Sequence, residues 1–284
     1  MTDDLSATAA NHGSEVPGDT ARTAIDTTVP HSARIWNYWL GGKDNFEVDR
    51  AVGDQFRQVF PAIVDIAQAS RQFLARAIRY LAGEAGIRQF LDIGTGLPTV
   101  ENTHEVAQRV APGARIVYVD NDPLVLAHAR ALLTSTPEGA TAYLHLDLRD
   151  PAGIVEGAAA TLDFTQPIAL ILNGVLGHLT ETDEARSIVH QLVGALPAGS
   201  YLALSDGTSG MSGPAGGEAQ EGYNDTGALP YVLRSPDEIA SFFDGLELVE
   251  PGVVSCPAWR PPTTPSAAAE IDALGGVARK LADS

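Results

Sequence analysis

Apolar positions recur at helical spacing through the first third of the chain and switch to short, strand-like runs from residue 89 onward. Between Ala62 and Leu81 the residues Ile63, Ile66, Ala67, Phe73, Leu74, Ala77, Ile78 and Leu81 share one face of a 3.6-residue period and predict a long helix. Two shorter helices precede it. Ser32 caps one over 33–40, which Gly41-Gly42 breaks, and a second covers 47–56. Residues 1–28 are rich in Thr, Ala, Asp and Gly without apolar periodicity and read as a disordered tail, so the ordered preamble is a helical lid over 29–84.

From Gln89 the pattern alternates. Apolar runs over 89–93, 116–120, 142–147, 168–172 and 201–205 read as strands, and the segments 100–110, 123–133, 154–160 and 182–196 between them read as helices. Such alternation specifies an α/β fold, a mostly parallel sheet with helices on both faces and right-handed crossovers. Residues 207–228 are too rich in glycine for an element and read as a flap over the site or a disordered insertion. A helix over 236–243 follows. The runs 246–249 and 252–256 flank Glu250-Pro251 as a closing pair of strands, one of them antiparallel. The sheet domain therefore spans 85–262, with 263–284 as a C-terminal extension.

The first strand runs into Asp92-Ile93-Gly94-Thr95-Gly96-Leu97-Pro98, with a helix expected to open at about Thr99. Glycines there let the chain turn sharply and let a ligand approach bare backbone, and a helix start offers N–H groups to anions. The second strand ends in Asp120-Asn121-Asp122, where a carboxylate can accept both hydroxyls of a ribose. A dinucleotide fingerprint would want a third glycine where this chain has Thr99. Asp92, two residues before the first glycine, instead suits an S-adenosylmethionine (SAM) site with the methionine ammonium near the loop. The bland alternative is a glycine turn followed by a surface acid.

Further candidates lie at the other strand ends. Asp147 could accept from an adenine amine while the Leu148 N–H reaches a ring nitrogen, or it could simply cap the next helix. Asn173 ends the fourth strand, where the sulfonium methyl would emerge. His178 is either a general base or a satisfied loop histidine, and Asp206 and Asp44 are further candidate bases. Arg71, on the helix leading into the sheet, could clamp the methionine carboxylate or make a surface salt bridge. Around the Gly-Gly break, Arg34, Tyr38, Gly41, Lys43 and Asp44 have the composition of a lid whose polar groups reach a ligand while Trp36 and Trp39 dock it.

Composition narrows the partners. The formal charge of −18 over 284 residues repels polyanions, so nucleic acid is not expected. The single cysteine, Cys256, excludes an intrachain disulfide and a cysteine-based zinc site, and the scattered histidines predict no metal. No stretch has the length or apolarity of a signal peptide or membrane span, so a cytoplasmic protein acting on a small molecule is expected; the oligomeric state is not readable.

Several separated words carry a resemblance. They are Ala33-Arg34-Ile35-Trp36-Asn37-Tyr38-Trp39-Leu40-Gly41-Gly42-Lys43-Asp44-Asn45-Phe46, Arg71-Gln72-Phe73-Leu74-Ala75-Arg76-Ala77, 89–98, 117–123, 197–202, Leu248-Val249-Glu250-Pro251-Gly252, Trp259-Arg260-Pro261 and Gly275-Gly276-Val277-Ala278-Arg279-Lys280. Together they resemble an actinobacterial family of SAM-dependent methyltransferase-like proteins long catalogued as a domain of unknown function. The resemblance spans about His31 to Lys280. It implies a class I methyltransferase (Rossmann-like) fold with a mostly parallel seven-stranded sheet, and SAM bound at the loops named above. It names no acceptor. Leu176-Gly177-His178 and Ser205-Asp206 depart from the family's words, Leu-His-Phe-like and Ser-His, on the substrate side. The expected activity is methyl transfer to a small molecule. Two other outcomes are self-reaction of SAM to methylthioadenosine and a small cyclic amino acid, and SAM binding without turnover.

Overall fold

The computed structural model describes residues 26–99, 101–132, 134–209, 213–262 and 270–282. The tail expected over 1–28 lies outside them except for 26–28. Three helices open the described part of the chain: α1 (Ser32–Trp39), α2 (Glu47–Val59) and α3 (Ile63–Gly83). The apolar stripe of α3, from Ile63 to Leu81, is buried against the sheet, so this helix is part of the main core rather than a mobile cover.

Five parallel strands form the body of the sheet: β1 (Gln89–Ile93), β2 (Arg115–Asp120), β3 (Ala140–His145), β4 (Ala169–Asn173) and β5 (Tyr201–Gly207). β1 pairs with β2 on one side and with β4 on the other, with Leu91 opposite both Val117 and Leu170. After β3 the chain must therefore cross back over β1, and that reversal opens a crevice at the carboxyl ends of β1 and β4. Side chains alternate between two cores. Phe90, Ile116, Ile171 and Ala203 face α3 and α4 (Thr103–Val110), whereas Leu91, Val117, Leu170 and Leu202 face α6 (Pro151–Ala158) and α7 (Thr182–Ala195). The remaining linking helix is α5 (Pro123–Leu132).

The far side of the sheet differs from expectation. Residues 263–284 are not merely an extension, because β8 (Ala273–Arg279) lies antiparallel beside β5 from Tyr201–Arg279 to Gly207–Ala273. The two short runs, β6 (Glu247–Leu248) and β7 (Val254–Ser255), do not pair with each other; both run antiparallel to β8 along its outer edge. The sheet thus has eight strands, in the order β3-β2-β1-β4-β5-β8-β6 with β7 beside β8. Gly275-Gly276 interrupts the apolar run of β8, which the sequence reads only as part of the C-terminal extension. A Cβ at Gly275 would stand 2.8 Å from the Phe73 ring, so the glycine lets α3 sit directly on the strand.

Two further boundaries moved. The helix expected to open near Thr99 begins at Thr103, after Asn102, whose carboxamide accepts from the Thr99 amide and whose own N–H donates to Glu105. The glycine-rich stretch contains α8 (Ala215–Asn224), anchored where Tyr223 meets Phe56 of α2, with ring centroids 6.3 Å apart. The last helix, α9 (Pro236–Ser241), carries a Ser235/Glu238 capping box. No described helix is long and apolar enough to cross a membrane.

Candidate active site

The carboxyl ends of β1, β2, β4 and β5 open into one cavity of about 210 Å³, roofed by α1, α3 and α8. Its floor is the turn after β1. Gly94 and Gly96 both hold positive φ, 71° and 64°, in the region where a side chain is strained. Their surroundings differ. A Cβ at Gly94 would strike Val175 at 2.4 Å, whereas one at Gly96 would meet no protein atom within 4 Å. Gly96, with Thr95 beside it, therefore presents bare backbone to the cavity.

Asp120 closes this floor from the end of β2. Its Oδ2 accepts from the Gly96 amide at 3.0 Å and its Oδ1 from the Asp122 amide at 2.9 Å. Burial raises its pKa, while those two amides oppose the rise. Asn121 donates through Nδ2 to Asp147 Oδ2 at 3.1 Å, bringing the loops after β2 and β3 together on the same wall. Asp147 also accepts from the Arg149 amide at 2.8 Å, two residues beyond the end of β3 with Leu148 between them. It caps no helix; Asp150 does, accepting from the Gly153 amide at 2.9 Å.

Arg71 reaches the same floor from α3. One terminal nitrogen donates to Asn102 Oδ1 at 3.2 Å, but its Nε is buried without a partner, as is the Thr99 hydroxyl. Desolvation lowers its pKa, with Asp92 the main opposing charge. Two unpaired donors on the rim of a turn open to the cavity are what a bound anionic or polar group would satisfy.

Asn173 ends β4 and accepts from the Ser205 hydroxyl at 2.7 Å. His178 stands on the 3₁₀ turn after it, with Nδ1 2.9 Å from the Pro230 carbonyl. A carbonyl can only accept, so Nδ1 carries the proton and Nε2 keeps its lone pair. Burial lowers the His178 pKa and favours that neutral ring. Asp206, on β5, accepts hydrogen bonds from the Tyr231 phenol and from the Gly207 amide at 3.0 Å; burial pushes its pKa up to about 6. Both residues line the cavity.

Five of the candidates read from sequence lie elsewhere. Asp92 is outside the main cavity, beneath the loop, where it accepts from Thr103 Oγ1; burial raises its pKa to about 6. Because the helix starts at Thr103, this carboxylate holds the helix start, in a small cavity that it shares with Arg71, Thr95 and Gly96. The α1 segment is turned the other way from the expected lid. The Tyr38 phenol donates to Asp54 at 2.8 Å, Gly41 ends α1 at φ 80°, and Asp44 lies 3.8 Å from His128. Arg34 is likewise turned aside, 3.1 Å from the buried Asp49. The cavity face of α1 carries Ile35, Trp36 and Trp39 instead.

The remainder of the wall was not read from sequence. Phe56, Phe60, Tyr223 and Tyr231 make it aromatic, and Asp272 joins Asp120 and Asp206 as a third buried carboxylate. Asp272 carried a readable signal, because an acid just before an apolar run lands at this edge whenever that run is antiparallel to the parallel strands. The aromatic residues belong to helices and loops with no motif of their own.

The chain matches the S-adenosyl methyltransferase family over residues 18–281. Among solved structures, a DUF574 family protein from Streptomyces avermitilis is 45% identical, with a TM-score of 0.86 over 90% of this chain and 99% of that one. A protein from Thermobifida fusca is 42% identical, with a TM-score of 0.82 over 89% of this chain and 96% of that one. No functionally curated protein matches it. With a class I methyltransferase fold, a strand-end acid beside a glycine turn and a match over nearly its whole length, the chain belongs to the S-adenosyl methyltransferase family and uses S-adenosylmethionine as its methyl donor.

Proposed function

We propose that this methyltransferase acts on a small molecule whose aromatic or apolar body is bound in the aromatic half of the cavity. The supporting observation is the division of one cavity into a polar floor, with unpaired donors at Arg71 and Thr99, and a wall built from Trp36, Phe56, Phe60, Tyr223 and Tyr231. The floor fits the cofactor. Arg71 would take the methionine carboxylate, Asp120 the ribose hydroxyls, and Asp147 with the Leu148 amide the adenine edge, while Gly96 allows backbone contact. Asn173 would border the sulfonium. When bound, the cofactor supplies an electrophilic methyl group.

The chain's own part is placement. Trp36, Phe60 and Tyr223 exclude water and hold the acceptor against the floor, and orientation of that kind supplies roughly 7–11 kcal/mol of the barrier in well-aligned systems. His178 Nε2 and the Asp206 carboxylate are the groups positioned to take a proton from an acceptor that must lose one. Asp44 is remote and takes no part.

Incubation with methyl-labelled SAM and a panel of small aromatic amines, phenols and acids tests this reading. Label transfer with stoichiometric S-adenosylhomocysteine is expected, and Trp36→Ala and Tyr223→Ala should raise KM for the acceptor more than for SAM. Methylthioadenosine as the product, or tight SAM binding with no product from any acceptor, would overturn it.

A further inference from the structure

Resting on that reading of the cavity, we infer that the acceptor is a small amine on an aromatic body, bound as its ammonium ion between the carboxylates of Asp206 and Asp272. Asp206 is 3% exposed and Asp272 6% exposed, yet Asp206 Oδ2 and Asp272 Oδ1 are buried without any hydrogen-bond partner. Both residues face the cavity. A buried carboxylate oxygen with no donor carries a desolvation cost that nothing offsets, so each points to a donor that arrives with a ligand.

The protein does not supply that donor. Among the described residues the basic groups on the cavity wall are turned elsewhere: Arg149 to Glu184, His31 to Asp122 and His178 Nδ1 to the Pro230 carbonyl, while Arg71 donates to Asn102 and keeps its unpaired Nε for the polar floor. Arg234, the cation whose charge Asp206 feels, donates to the carbonyls of Leu176 and Leu179 instead. The two carboxylates come from neighbouring antiparallel strand ends, where the Thr208 amide donates to the Asp272 carbonyl at 3.1 Å. They therefore border one edge of the aromatic half.

An ammonium group answers both oxygens with N–H donors and positive charge, and the faces of Trp36, Phe60 and Tyr223 suit both the cation and its ring. An acceptor bearing a carboxylate or phosphate would meet like charge. Asp206 enters the family resemblance only as a departure from its Ser-His word, and Asp272 lies in none of its words. In the transfer, the ammonium first gives one proton to the Asp206 carboxylate. The freed nitrogen lone pair then forms the N–C bond while the S–C bond breaks with its electron pair left on sulfur.

The test uses full-length protein saturated with S-adenosylhomocysteine, titrated calorimetrically with 2-phenylethylamine, tryptamine, 2-phenylethanol and 3-phenylpropanoate. Each amine should bind at least about tenfold more tightly than the alcohol, the advantage of a charge-assisted over a neutral hydrogen bond, and the propanoate most weakly. Asp206→Asn and Asp272→Asn should each abolish most of that preference while S-adenosylhomocysteine affinity changes less than about twofold, below the roughly 1 kcal/mol of one ordinary hydrogen bond. The comparison among ligands on the unaltered protein stands even if a variant fails to fold. Alcohol or propanoate binding as well as the amines, no amine binding to the loaded protein, or an amine preference unchanged in both variants would overturn the inference. Failure of S-adenosylhomocysteine to bind at all would instead strike the cofactor assignment beneath it.

Discussion

The Gly96 amide donates a 3.0 Å hydrogen bond to Asp120 Oδ2, tying the glycine turn after β1 to the acid that ends β2. The other oxygen takes the Asp122 amide at 2.9 Å. Each oxygen keeps a second lone pair for a ligand hydroxyl, so one carboxylate both shapes the turn and reads the ribose. Asp120→Ala should weaken SAM binding at least about tenfold and also lower stability by about 1–3 kcal/mol, because two amides lose their acceptor. Asp120→Asn should not rescue, since its NH₂ group would face an N–H. Calorimetry beside denaturant unfolding checks both; unchanged SAM affinity in folded Asp120→Asn removes the ribose assignment.

Gly94 and Gly96 should fail differently. Both would force a side chain into the left-handed region, at roughly 1–2 kcal/mol each. Gly94→Ala adds a collision with Val175 at 2.4 Å and should chiefly lower the melting temperature. Gly96→Val meets open space and should keep most of its stability while losing SAM binding. Equal affinity losses with equal stability losses would show that the two glycines serve only the turn.

These strand-end groups were legible because a parallel sheet puts its chemistry where apolar runs stop. Asp120, Asn173 and Asp206 each follow such a run, and each lines the cavity. Asp92 follows the same rule but lies outside the main cavity, because the loop before α4 puts the Thr103 hydroxyl against it. The lid composition misled for a different reason. Polar groups at helical spacing look alike whether they face a ligand or a neighbouring helix, and Tyr38 faces Asp54. β8 was hidden by Gly275-Gly276, of which Gly275 lets Phe73 pack on the strand and Gly276 faces Phe243 and Val253.

The buried acids predict an unusual pH response in the ligand-free protein. Asp92 and Asp206 are each pushed up to about 6 by burial, above the 3.8 of an unfolded chain. Arg71, Tyr118 and Asp120 surround the first; Tyr231, Arg234 and Cys256 surround the second. A raised folded pKa contributes stability that is complete below the unfolded value and lost as pH rises through the folded one. Stability should therefore fall between about pH 4 and 6 by on the order of 2–3 kcal/mol per group. The net charge of −18 adds self-repulsion of the same sign. Melting curves across that range should show the decline, and Asp206→Asn should flatten it; a melting temperature that climbs steadily from pH 4 to 7 would contradict the account.

The wall formed by α1 depends on Asp49, which is fully buried at the start of α2. Its Oδ1 takes the His31 amide at 2.9 Å, its Oδ2 takes the Phe46 amide at 2.9 Å, and Arg34 Nε lies 3.1 Å from the latter oxygen. Removing it strands a buried guanidinium and two amides, and breaking one partner of a buried pair costs roughly 3–5 kcal/mol. Because α1 packs mainly on α2 and α3 and pairs with no strand, that cost should appear as local opening rather than global unfolding. Hydrogen exchange on Asp49→Ala should show fast amides over 32–39 with α3 and the strands still protected, and a matching loss of SAM affinity. In the unaltered protein the same amides should slow when SAM binds, because α1 roofs the cavity. Identical exchange over 32–39 with and without SAM would make α1 a fixed wall, and the loss of affinity in Asp49→Ala would then have to come from the sheet itself.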